Sequence, residues 1–83
     1  MRVNMYAEMV KDEYIDIYLG FKYKVSRVYS KTHFSIEGCP RRYLMNCFVF
    51  YDDKGNKISQ NEAYEIDREK RQEEKIKNII IKR

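Results

Sequence analysis

The 83-residue chain makes one small domain, which buries only about 60–65% of its unfolded surface and has no room for a deep cleft between lobes. It carries 17 Lys and Arg against 13 Asp and Glu, with eight Tyr, four Phe and no Trp. Two cysteines are too few for a disulfide framework, no run approaches the roughly 18 apolar residues of a membrane span, and no apolar signal core opens the chain. The expectation is reduced thiols, no membrane partner and a cytoplasmic location in a bacterial host cell.

The net charge of +4 is unevenly spread. Residues 1–19 sum to −2, whereas 20–46 hold Lys22, Lys24, Arg27, Lys31, Arg41 and Arg42 against the single acid Glu37. The positive field therefore belongs to the middle of the chain, where the aromatic and β-branched residues also concentrate.

Arg2 to Val10 alternates, with Val3, Met5, Ala7 and Met9 on one face, which predicts a half-buried strand. After a charged turn at Lys11–Glu13, Ile15, Ile17 and Leu19 are expected to continue the inward face with Asp16 pointing away, or equally to hold an irregular loop, and Gly20 supplies a corner. In the next strand Phe21, Tyr23 and Val25 are expected to face in, with Lys22 and Lys24 out. The parity of apolar positions then changes near Ser26 and Arg27, where a one-residue bulge would bend the strand and leave Arg27, Tyr29 and Lys31 outward. Phe34 and Ile36 make a third inward pair before the Gly38-Cys39-Pro40 turn. Tyr43 to Phe48 leads into a last strand of Val49, Phe50 and Tyr51, closed by the turn Asp52–Asn56.

Ser59-Gln60-Asn61-Glu62 is a capping box with Ile58 and Ala63 placed as a hydrophobic staple, so a helix is predicted from Gln60 to about Ile80. Its middle, Asp67 to Lys75, has no apolar residue. Pairs such as Asp67 with Arg71 support such a helix, which is expected to project from the sheet. Ile76, Ile79 and Ile80 form a one-turn apolar patch expected to contact a protein partner or a second copy in a homodimer, with fold-back onto the barrel as the alternative. The organisation expected is mainly β, a small five-stranded barrel over 1–58 followed by one long charged helix over 59–83 of the same domain.

The barrel region resembles a group of small SH3-like barrel proteins of Firmicutes and their phages. In that group a Gly-Lys-x-Tyr-x-Val strand is followed by a strand ending in a Gly turn and a Tyr-Pro-x-x-x-Phe step; the corresponding residues are Gly20, Tyr23 and Val25, then Ile36 and Gly38, then Tyr43 and Phe48. Phe21 stands in the place of the Lys and Leu44 in that of the Pro. The resemblance covers about the first 50 residues. It implies an SH3-like fold and carries no common activity or site.

Chemistry is sparse. His33 with Cys39 and Cys47 lacks the orienting group and oxyanion hole a nucleophile pair needs, and their spacing matches no zinc site. Asp52 and Asp53 are accounted for by the turn before Gly55. No catalytic residue, metal or cofactor is expected, and the chain is read as non-enzymatic. The function expected is docking on a host protein or nucleoprotein machine, in the manner of a phage or mobile-element inhibitor. The alternative is a nucleic-acid-binding barrel whose face interleaves cations with rings: Lys22, Lys24, Arg27, Tyr29, Lys31, Arg41, Arg42 and Tyr43.

Overall fold

A computed structural model of the chain describes residues 4–81, those after 72 as helix backbone only. The elements are β1 (Tyr6–Met9), β2 (Lys22–Val28), β3 (His33–Ile36), β4 (Arg42–Leu44), a 3-10 turn (Met45–Cys47), β5 (Phe48–Tyr51), β6 (Lys57–Ile58) and α1 (Gln60–Ile81). They form one antiparallel sheet in the order β4-β3-β2-β1-β5-β6. The sheet has six strands rather than the expected five, because the chain after the Asp52–Asn56 turn pairs back on β5 through Lys57 and Ile58. It is open, with β4 and β6 as its two edges.

The bend comes from β2. Its first half pairs with β1, Tyr6 opposite Lys24 and Glu8 opposite Lys22, and its second half with β3, Val25 opposite Ile36 and Val28 opposite Phe34. The register shifts between Val25 and Arg27, so Ser26 is the extra residue of a bulge at the hand-over, where the change of apolar parity places it. The inward faces of both halves enclose Met5, Ala7, Met9, Val25, Val28, Phe34, Ile36, Tyr43, Phe48 and Phe50. Phe34 holds the centre, meeting the rings of Phe48 at 4.8 Å and Phe50 at 4.9 Å edge-on. Such pairs contribute about 0.5–1.5 kcal/mol each beyond the area they bury.

The turns follow their residues. Asp52 accepts the backbone N–H groups of Lys54 (2.9 Å) and Asn56 (2.8 Å), and Gly55 takes the left-handed conformation the turn requires, φ +85°. Those N–H bonds, Asn56's first, hold the Asp52 carboxyl below the usual carboxylate range. The capping box forms as read, with Ser59 Oγ accepting the Glu62 N–H at 3.1 Å and Glu62 accepting the Ser59 N–H at 3.3 Å.

Two expectations are corrected. Ile15, Leu19 and Phe21 do not face in: Ile15 is 98% exposed and Phe21 63%, and only Ile17 of that series is buried. Alternation assigns faces only within a strand, and residues 10–21 form a loop. The charged stretch of α1 does not stay clear of the sheet either. Ala63 and Asp67, one turn apart, are both buried, and Tyr64 and Ile66 pack against the core beside them. Ile76, Ile79 and Ile80, with their expected contact, lie outside the residues whose side chains are described.

The fastening of α1 is polar. Val25 donates its N–H to Met5, just before β1 begins, and the β1 pairing ends at Tyr6 opposite Lys24, so the backbone of Val28 lies beyond that pairing. α1 supplies side chains instead: Val28 N–H donates to Asp67 Oδ2 at 3.2 Å, and Arg71 Nη2 donates to the Val28 carbonyl at 3.3 Å. Arg71 Nε lies 3.1 Å from Asp67 Oδ2 without pointing its N–H at it, an ionic contact that holds the two side chains together. Two charged residues thus complete a sheet ladder where the strand has run out, which is the demand buried backbone groups impose.

Candidate functional site

Two surfaces compete for function, the loop 10–21 and the basic outer face of β2, β3 and β4. The loop is long but held at several points. Tyr14 packs edge-on against Tyr43, centroids 4.8 Å apart, and its hydroxyl accepts the Leu44 N–H at 3.0 Å. Asp16 accepts the Tyr43 hydroxyl at 2.7 Å and lies 3.7 Å from Arg41. Ile17 is buried, and the Tyr18 N–H donates to the Tyr23 hydroxyl at 3.0 Å. The Asp16–Tyr43 bond marks both partners. Hydrogen bonding by the phenol, with Arg41 adding to it, lowers the Asp16 pKa, while burial and then the carboxylate push that of Tyr43 up.

The residues between these anchors point outward. Ile15, Tyr18, Leu19 and Phe21 are exposed, with Val10 beside the loop's start, and the rings of Tyr18 and Phe21 stand 6.0 Å apart. Asp12 and Glu13 flank them, and among the described residues neither pairs with a cation. The result is an apolar display with an acidic rim.

The eight residues of the expected basic face separate. Tyr43 is fully buried in the core and is withdrawn from that face: its ring belongs with Phe34 and Phe48, and its hydroxyl serves Asp16. Lys24 is 3.4 Å from Glu37, and Arg41 is the partner of Asp16. Lys22 stands over the Tyr51 ring at 4.1 Å, on the β1–β5 side of the sheet. Arg27, Tyr29 and Arg42 come together, with the Arg42 guanidinium 4.1 Å over the Tyr29 ring. Arg27 and Lys31 are exposed and pair with no carboxylate among the described residues.

His33 opens β3 and is bonded to the turn before it, its Nδ1 2.8 Å from Thr32 Oγ1 and its N–H donated to Ser30 Oγ at 3.2 Å. Cys47 is buried and Cys39 half-buried. Among the described residues no group of three His, Cys, Asp or Glu side chains is placed to hold a metal, and no helix is long and apolar enough to cross a membrane.

Sequence reading allowed an irregular loop here but missed it as a surface, because it turned Ile15, Leu19 and Phe21 inward. One signal was present: Tyr14-Ile15-Asp16-Ile17-Tyr18 sits in a segment of about a dozen residues, longer than a simple hairpin connection needs. No protein family, curated protein or solved structure matches this chain.

Proposed function

We propose that the chain is a non-enzymatic binding protein that docks on a protein partner through the loop from Tyr14 to Phe21. It is read as a phage or mobile-element product acting on host machinery. The observation that carries this is Ile15, 98% exposed between two residues, Tyr14 and Asp16, that are both bonded to the body of the protein. A free loop would lose much of its binding energy on being ordered, whereas this one is ordered beforehand. Burying Ile15 in a partner contributes about 1.5–3 kcal/mol, and Tyr18, Leu19 and Phe21 enlarge the same patch. With Asp12 and Glu13 at its rim, the surface suits an apolar groove bordered by cations.

The strand order also supports the SH3-like reading of the fold. β1 lies between β2 and β5, a 3-10 turn joins β4 to β5, and the bulge in β2 bends one meander toward itself. On this reading the body is a partly open SH3-like barrel, β6 and α1 are additions at its end, and the loop from β1 to β2 is the displayed element.

The experiment is capture from nuclease-treated host lysate by the full chain and by Ile15→Asp, with melting curves for both. A protein retained by the parent and lost by the variant, at unchanged melting temperature, is expected. Equal retention by Ile15→Asp, or no protein retained after nuclease, contradicts the proposal.

A further inference from the structure

Directly opposed residues on neighbouring strands share a face of the sheet. Arg27 on β2 is opposite Ser35 on β3, and Ser35 is opposite Arg42 on β4, so two arginines flank one serine in a row across three strands. At the usual strand spacing their backbones are about 10 Å apart. Tyr29, two residues beyond Arg27, lies outward beside the row with Arg42 over its ring. Ser35 and Arg42 of this row, with Ser26, Tyr29 and the 38–40 turn, line an open depression of about 740 Å³, and Arg27, the chain neighbour of Ser26, stands outside its wall.

Like charges on one sheet face repel unless something negative lies between them. Neither Arg27 nor Arg42 pairs with a carboxylate among the described residues, and Glu37, which also lines the depression, is taken by Lys24 at 3.4 Å. The Ser35 hydroxyl, then the guanidinium groups of Arg42 and Arg27, hold the Tyr29 pKa below the usual tyrosine value.

We infer that this depression seats a phosphate group of a single-stranded nucleic acid, with Arg42 in its wall and Arg27 beside it as charge partners and the hydroxyl of Ser26 as a donor. Guanidinium groups suit tetrahedral oxyanions because each presents several N–H donors in a fixed fork. A polynucleotide fits better than a small phosphate compound because the site is open and cations continue beyond it, Lys31 following Tyr29 on the outward face. The inference does not depend on what the 14–21 loop binds. It replaces a diffuse basic face of eight residues with one phosphate position.

The test is fluorescence anisotropy of a labelled oligothymidylate titrated with the full chain over a series of salt concentrations. Arg27→Gln with Arg42→Gln should weaken binding about ten-fold or more and flatten the slope of log affinity against log salt by about two. Lys54→Gln with Lys57→Gln, which removes the same charge from the β5–β6 hairpin, should leave affinity within about two-fold. Arg27→Lys with Arg42→Lys should recover most of the salt slope, since a point charge still holds a phosphate. Far-UV circular dichroism identical to the parent's is required of each variant before its titration is read. Equal losses from the two glutamine pairs, a lysine pair as weak as its glutamine counterpart, or no binding by the parent overturns the inference. Inorganic phosphate that displaces the oligonucleotide at equal phosphate concentration also overturns it, by assigning the site to a small phosphate compound.

Discussion

The loop 10–21 and the first turns of α1 both lie against the body of the sheet, and they treat charge in opposite ways to what their composition suggests. The loop, with its run of isoleucine, tyrosine, leucine and phenylalanine, leaves Ile15 and Phe21 in solvent and turns Asp16 toward the buried phenol of Tyr43. The helix, whose middle is wholly polar, sinks Asp67 to 4% exposure. In each region an apolar side chain is buried, Ile17 in the loop and Ala63 in the helix, and a neighbouring aspartate answers a buried hydrogen-bonding group: Asp16 the Tyr43 hydroxyl, Asp67 the Val28 peptide. Along the sheet's borders apolar burial is therefore joined by hydrogen bonds that satisfy groups the sheet leaves without a partner. The consequence is functional, because anchoring by polar contacts leaves the loop's apolar residues available to a partner.

The comparison breaks most severely at the helix. Asp67→Ala strands the Val28 N–H and leaves the Arg71 guanidinium, partly buried, without its counter-charge, which should cost about 2–3 kcal/mol in denaturant unfolding. Asp67→Asn, which still offers an acceptor to Val28, should cost less than half of that. Equal costs for the two variants would mean that charge alone holds the helix.

On the loop side, Tyr43→Phe keeps the ring packing and removes the bond to Asp16, for a loss of about 1 kcal/mol near neutral pH. Its pH dependence has a definite sign. The Asp16 pKa is lowered in the folded chain, so this contribution is present above the ordinary aspartate value of about 3.9 and disappears as pH falls through the folded value. The Tyr43 pKa is raised, so the contribution is full below about 10 and is lost as pH climbs beyond that. Melting temperatures of parent and variant should therefore differ most between these limits and converge at both extremes. A constant difference across the range would detach the bond from both titrations.

Ser59→Ala removes the cap that starts α1 and should cost about 0.5–2 kcal/mol, read as a lower melting temperature with helical circular dichroism lost first. The smallest effect belongs to Ile15→Asp, which touches nothing in the fold and should shift stability by less than about 0.5 kcal/mol while removing partner capture. A large destabilisation by Ile15→Asp would place that side chain in the core and end the loop's role as a surface.

Much of this architecture was legible in the chain. The bulge at Ser26 shows as apolar positions that switch from odd to even, and the capping box and the Asp52–Gly55 turn are local patterns whose partners lie within a few residues. What was not legible has its partner far away and of a kind that leaves no mark. Asp67 serves a backbone amide 39 positions earlier, and a peptide group looks the same wherever it occurs. Asp16 serves a phenol 27 positions later, and Tyr43 sits between basic residues that made it look like part of an exposed binding face. The phosphate position was half legible: Arg27, Tyr29 and Arg42 stood among the basic residues, but only the strand register brings Ser35 between the arginines.

The fastening of α1 by charge is tested most directly by hydrogen exchange at the Val28 amide, read by NMR in the parent and in Asp67→Ala. In the parent it should exchange as slowly as the Val25 amide, which is bonded to Met5. In the variant it should exchange much faster while Val25 and Tyr29, whose acceptors are the backbone carbonyls of Met5 and His33, stay protected. Rapid exchange at Val28 in the parent, or protection that survives the loss of Asp67, would contradict a helix held to the sheet by its charged residues.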